Sequence, residues 1–132
     1  MRLILLFIAF LLTGSAIAQD LITAHEDESV KIEYSLLEVK KKGEVNAEIR
    51  LVITNKTSEY ITLDFVVALF YELTIAEATQ VKKLCVAPKK VKKGKIKGLF
   101  YQPETLTYEQ LNDINFEMSI DELKLVKVEN CK

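Results

Sequence analysis

The chain has few of the residues that most often carry catalysis or hold a metal. Its 132 residues include one histidine, two cysteines, four glycines, two prolines and no tryptophan. One histidine, two cysteines and scattered acids do not supply zinc-ligand spacing, and a D-x-D-x-D-G calcium loop is absent. A cysteine nucleophile would need a basic partner, and the single His25 lies in a polar stretch near the start of the chain. The sequence therefore predicts no metal site, no cofactor and no enzymatic activity.

Long apolar runs are also scarce, because the only one opens the chain. Arg2 precedes the apolar residues Leu3 to Leu12, and Ala16 and Ala18 give a small-x-small pattern. Ten apolar residues are too few to cross a bilayer of about 30 Å as a helix, and the pattern is typical of a signal peptidase site. We interpret residues 1–18 as a cleaved signal peptide, and residues 19–132 as one domain of a secreted or periplasmic protein without a membrane span.

Neither sign of charge dominates, since 18 basic residues face 19 acidic ones. The net charge gives no reason to expect nucleic acid as a partner, and an exported protein does not normally meet nucleic acid. Export also makes a disulfide between Cys85 and Cys131 the expected state of the only two cysteines. The chain-entropy model gives about 4 kcal/mol for closing a loop of roughly 46 residues.

Alternation of apolar and polar side chains predicts about seven strands. They cover residues 30–39, 44–54, 60–73, 81–87, 95–101, 114–120 and 123–128. Lys40 to Gly43 is predicted to turn the first strand into the second, and the polar cluster Asn55 to Glu59 to form a hairpin turn. Two stretches are candidates for one short helix: Leu73 to Thr79, and Glu104 to Asn112 with a capping box at Thr107 to Gln110.

Seven short strands without a long 3.6-residue period favour an all-β fold, an antiparallel β-sandwich; an α+β fold is the alternative. The strand, Asn-x-Thr turn and strand from Ile49 to Phe65 resemble the early hairpin of secreted immunoglobulin-like and fibronectin-like domains. The resemblance implies an immunoglobulin-like sandwich and assigns no functional residue. The chain departs from antibody-type domains, because it lacks tryptophan and its cysteines come too late for their bridge between the sheets.

The strongest local anomaly is a basic block of sixteen residues with eight lysines and no acid. Its lysines are Lys82, Lys83, Lys89, Lys90, Lys92, Lys93, Lys95 and Lys97. On adjacent strands they would form a positive surface for an anionic polysaccharide, a phosphorylated glycolipid or an acidic protein. The alternative is that they only protect a sheet edge from pairing with other chains. The block has no arginine, the residue that favours specific bidentate recognition.

These patterns predict a non-catalytic binding module that uses the lysine block. An exported inhibitor or assembly factor acting through protein–protein contact is the alternative, and a small hydrolase using Asp64 and Glu72 is a distant third. We interpret His25 to Glu28 as a solvated lead-in. Asn55-Lys56-Thr57 is an N-glycosylation sequon in a suitable turn position for a host with that machinery.

Overall fold

The computed structural model of the protein describes residues 20–94, 96 and 98–132. The predicted signal peptide, Lys95 and Lys97 lie outside these residues. Eight strands and one short helix follow in chain order: β1 (Ile22–Glu26), β2 (Val30–Lys41), β3 (Glu44–Asn55), β4 (Tyr60–Tyr71), β5 (Thr74–Val86), β6 (Val91–Lys92), β7 (Phe100–Tyr101), α1 (Tyr108–Leu111) and β8 (Phe116–Val128).

The strands form two antiparallel sheets. In the first sheet β1, β2 and β3 lie side by side, and the short β6 and β7 both pair with the far edge of β3. In the second sheet β4 lies between β5 and β8. The antiparallel all-β prediction is confirmed, and the α+β alternative is wrong.

Apolar side chains from both sheets form one hydrophobic core. Ile49, Leu51 and Ile53 of β3 are fully buried, as their alternation predicts, and so are Ile61 and Leu63 of β4. Because β3 buries every second residue over 49–55, and β4 does so over 60–67, these parts of both strands have one face toward the core and one away from it.

Two tight turns close the hairpins β2–β3 and β4–β5. Lys42 and Gly43 have φ of 51° and 79°, and Glu72 and Leu73 have φ of 51° and 64°. Two-residue turns with both φ values positive match the twist of the flanking strands. The predicted turn at Lys40 to Gly43 is confirmed.

The connection between β3 and β4 differs from the predicted hairpin. The two strands lie in different sheets, so Asn55 to Glu59 carries the chain from one sheet to the other. Asn55 is fully buried there, and its Nδ2 donates to the carbonyl oxygens of Glu59 (2.7 Å), Val86 (3.0 Å) and Ala87 (3.1 Å). Local turn chemistry identified the bend, and the long-range contact joins it to the end of β5 in the second sheet.

The helix predictions had opposite outcomes. Leu73 to Thr79 is wrong as a helix, because Thr74 begins β5 and its ladder with the apolar β4 overrides the helix propensity of the Ala and Glu residues. In α1 the Thr107 side chain accepts from the N–H of Gln110, and the Gln110 side chain accepts from the N–H of Thr107. This confirms the capping box.

The strand boundaries also differ from the predictions. The predicted strands 114–120 and 123–128 are one strand, β8, because a bulge sets Glu122, at φ 54°, and Leu123 together opposite Phe65, while Asp121 stays paired with Val66. The sequence did not predict β1, which pairs with β2 and includes His25 and Glu26 from the stretch interpreted as a solvated lead-in. Of the predicted strand 95–101, only Phe100–Tyr101 is a strand among the described residues.

Candidate functional site

A bulge in β5 turns two neighbouring lysines toward solvent. Leu63 pairs with Leu84 and Phe65 with Val81, so Lys82 and Lys83 together oppose Asp64 alone. Lys83 has φ 50°, and its N–H donates to Asp64 Oδ1 at 2.6 Å. In a regular strand the two lysines would point to opposite faces, but here both are exposed while their neighbours Val81 and Leu84 are buried.

The disulfide brings the far end of the chain to the same place. Cys85 and Cys131 are bonded, with their Cα atoms 5.5 Å apart, which confirms the predicted pairing. Cys85 pairs with Thr62 in β4, whereas Cys131 follows β8 on the other side of β4. Lys132 is therefore held beside β5 although it is 50 residues from Lys82.

These residues line an open groove of about 610 Å³, called here the lysine groove. The lining residues are Gln80, Val81, Lys82, Lys83, Leu84, Cys85, Lys92, Gly98, Cys131 and Lys132. Four of them are lysines, and none of those described is acidic. The Lys92 ammonium donates to the carbonyl oxygen of Cys85 at 2.6 Å, which fixes it at the groove wall. Within the described ranges, no carboxylate lies within 4.0 Å of these four ammonium groups.

The other lysines of the block lie elsewhere. The Lys89 ammonium donates to the carbonyl oxygen of Lys56 at the crossover between the sheets, and Lys90 is exposed in the turn before β6. Lys93 lines a separate groove of about 540 Å³ on the first sheet. The structure therefore brings together Lys82, Lys83 and Lys92, without Lys89, Lys90 and Lys93. Sequence reasoning missed Lys132, although the predicted disulfide at its neighbour was a signal for it.

The acids proposed for a hydrolase do not face each other. Asp64 lies in the middle of β4, and Glu72 lies in the turn beyond its end. Glu72 lies eight residue steps from Asp64, about 26 Å along the strand, whereas paired catalytic carboxylates stand within about 10 Å. In the part of the chain that the structure describes, no three His, Cys, Asp or Glu residues are grouped to hold a metal.

At the opposite end of β5, two turns present bare aliphatic side chains. Leu73 is 95 % exposed and Ile114 is 97 % exposed, and Ile75 beside them is 56 % exposed. The N–H of Glu72 donates to the carbonyl oxygen of Asn115 at 3.1 Å, which joins the two turns. We call Leu73, Ile75 and Ile114 the apolar knob.

The residues next to the knob in the sequence are acidic, since Glu72 precedes Leu73 and Asp113 precedes Ile114. Burial raises the pKa of the nearby Tyr71, and the negative charges of Asp113 and Glu72 raise it further. Between residues 65 and 80, and again between 98 and 123, the sequence has no lysine or arginine.

The Asn55 sequon is a structural element and is not accessible in the folded protein. Besides the three carbonyl contacts of its Nδ2, Asn55 Oδ1 accepts from the N–H of Thr57 at 2.9 Å and from its hydroxyl at 2.7 Å. A glycan on Nδ2 would replace one of the donating hydrogens and would have no space around a side chain with 0 % exposure. The expectation of a suitable turn position is therefore wrong for the folded protein.

Comparisons with protein-family models, with curated proteins and with solved structures find no match for this chain. No helix among the described residues is long and apolar enough to cross a membrane. The disulfide is typical of proteins in oxidising compartments.

Proposed function

We propose that the protein is a secreted or periplasmic, non-catalytic binding module with an immunoglobulin-like sandwich, which holds an anionic polysaccharide in the lysine groove. The observation that carries this proposal is the set of four ammonium groups, from Lys82, Lys83, Lys92 and Lys132, around one open groove. The bulge in β5 leaves both Lys82 and Lys83 exposed, and the disulfide holds Lys132 beside β5. The cluster therefore depends on the fold and not on sequence spacing alone.

The chemistry of the cluster favours a polymer over a single small anion. Lysine ammonium groups act as mobile point charges and lack the planar fork with which arginine grips one carboxylate or phosphate. Several such charges along an open groove attract a chain of sulfate or carboxylate groups, each weakly, and the contributions add along the chain. Binding of this kind is expected to weaken steeply with salt, because exposed charges are screened beyond about 8 Å at physiological ionic strength.

Binding to immobilised heparin and to alginate tests the proposal, since the first supplies sulfate groups and the second carboxylates. We expect the double variant Lys82→Glu, Lys83→Glu to bind about tenfold more weakly at low salt. The control Lys40→Glu, Lys42→Glu makes the same change in net charge at the turn between β2 and β3, far from the groove, and should retain binding. Both polymers should release the wild-type protein as salt is raised.

Two results would contradict the proposal. One is the absence of binding to either polymer at low salt. The other is equal loss of affinity in both double variants, because it would mean that net charge, and not the groove, governs binding.

An inhibitor or assembly factor that acts through protein–protein contact is the second candidate, and the apolar knob favours it. Aliphatic side chains that are almost fully exposed at two joined turns contribute nothing to the core. Exposed apolar groups that cluster on a surface are typical of contact sites.

A further inference from the structure

The apolar knob is maintained against two physical costs. Leu73 is exposed to water, and its φ of 64° lies in the left-handed region, which a bulky side chain rarely adopts. Asparagine or glycine would suit this turn position better on both counts. A conformation that is unfavourable for stability and is held by its surroundings points to a role for the side chain.

Hydrogen bonds hold the backbone of the two turns that carry the knob. The Glu72–Asn115 hydrogen bond joins its two turns, and Asp113 Oδ1 accepts from the N–H of Asn115 at 2.8 Å within the second turn. Tyr71, the last residue of β4, pairs with both Thr74 and Phe116, so three strands support the two turns. A surface that is already ordered loses little conformational entropy when it binds.

Charge complementarity identifies what fits the knob. Glu72 directly precedes Leu73 and Asp113 directly precedes Ile114, in regions of the sequence without basic residues. An anionic lipid surface would repel this region. Its complement is a set of ammonium groups carried on aliphatic stems, and the lysine groove supplies Lys82, Lys83, Lys92 and Lys132 above the buried Val81 and Leu84.

We propose that the apolar knob of one copy of the protein docks in the lysine groove of a second copy, head to tail. The contact cannot form within one molecule, because Leu73 lies nine residue steps before Lys82 along β5, a distance of about 30 Å. Knob and groove are different surfaces, so the contact is heterologous and each docked copy leaves one knob and one groove free. The copies therefore form short chains or a ring.

This self-association rests on the groove of the proposed function but gives it another occupant. A long anionic polymer would compete with the knob for the same lysines. The polymer would then disperse the chains of protein, and its removal would restore them.

Sedimentation velocity of the purified protein tests the proposal. A contact of three apolar side chains with a few charges is small, and we expect a dissociation constant of about 0.1 to 1 mM. The weight-average mass of the wild-type protein should therefore rise with concentration at low salt, and should fall toward the monomer when heparin or salt is added.

Variants of the two surfaces locate the contact. Leu73→Asn with Ile114→Ser removes the knob, and asparagine accepts the left-handed backbone at position 73. Lys82→Glu with Lys83→Glu removes the groove. Each double variant alone should remain monomeric. An equimolar mixture should reach the mass of a dimer and stop, because it contains one intact knob surface and one intact groove. The control Val126→Asn replaces an exposed apolar residue of β8 and should associate like the wild type.

Several outcomes would overturn the proposal: a wild-type protein that stays monomeric at about 1 mM, association that survives in either double variant, or a mixture that behaves as its separate components. Binding of the wild type to phosphatidylcholine vesicles, lost in the knob variant and without self-association, would assign the knob to lipid instead. If the protein binds heparin but does not self-associate, this inference is wrong and the proposed function stands. If it self-associates but does not bind heparin, the proposed function is wrong and this inference stands.

Discussion

Replacement of Asn55 is expected to destabilise the fold far more than its place in a polar loop suggests. The amide of Asn55 bonds to Val86 and Ala87 at the end of β5 and holds Thr57 and Glu59 in the crossover. Asn55→Ala removes two long-range hydrogen bonds, the order of the turn and the packing of the amide group, each at about 1 kcal/mol. The total, about 4 kcal/mol, is a large part of the 5 to 15 kcal/mol by which a domain is typically stable.

Urea unfolding followed by circular dichroism measures this loss, and thermal unfolding should show a fall in Tm of about 15 °C. The matched control is Asn112→Ala, since the Asn112 amide makes one exposed hydrogen bond, to the carbonyl oxygen of Tyr108 at 2.8 Å. Its loss should cost about 0.5 kcal/mol. If Asn55→Ala cost no more than the control, the crossover would not depend on this amide and the reasoning would be refuted.

Asn55→Asp adds a test by pH. A carboxylate at this buried position would face three carbonyl oxygens without a hydrogen to donate, so its folded-state pKa would be raised. A raised pKa means that the protonated side chain fits the fold better than the ionised one, and stability should fall as pH rises above about 4. Unfolding curves between about pH 4 and pH 7 should therefore diverge from those of the wild type as pH increases; parallel curves would contradict burial of the side chain.

Mass spectrometry after expression in a eukaryotic secretory host tests the sequon directly. Disulfide-bonded, protease-resistant protein should carry no glycan on Asn55, because the modification and the fold exclude each other. A glycosylated fraction with wild-type stability would overturn this expectation.

Three further predictions concern other contacts. Replacing Cys85 and Cys131 together by serine should lower the free energy of unfolding by about 4 kcal/mol, as read from denaturant titration. Glu77→Ala should speed hydrogen exchange at the amide of Thr105, because Glu77 accepts hydrogen bonds from the backbone and hydroxyl of that residue, and unchanged exchange would refute the contact. Burial opposes ionisation of Asp27, but hydrogen bonds from His25 and two backbone N–H groups lower its pKa overall. The ionised Asp27 carboxylate therefore stabilises the fold above its unfolded-state pKa, and this stabilisation is lost as pH falls through its folded-state pKa. The free energy of unfolding of the wild type should exceed that of Asp27→Asn near neutral pH, and the difference should shrink in acid.

Local patterns in the sequence predicted most of the core but not the topology. Residues such as Ile49, Leu51 and Ile53 are buried because strict alternation puts them on one face, and the sequence displays that alternation directly. β3 and β4 lie in different sheets, and Asn55 at the end of β3 bonds to Val86 of the second sheet, 31 residues away. No window of local sequence contains that contact.

The candidate site was predictable in part for the same reason. Composition identified the basic block, and compartment chemistry identified the Cys85–Cys131 bond. Which lysines gather depends on a bulge opposite Asp64 and on the tail that brings Lys132 to β5, and neither is visible in the spacing of the lysines. The first half of β5 was mispredicted because local propensity there favours a helix, whereas the strand forms through pairing with β4, which local sequence does not show.

The bond between Cys85 and Cys131 also decides how the second sheet responds to force. β8 is an edge strand whose last pair is Val128 with Tyr60, and a pull on residue 132 would otherwise unzip it from β4 one pair at a time. The sulfur link carries tension past that weak line into β5 on the far side of β4. A pull on residue 132 therefore loads both outer strands of the sheet instead of β8 alone.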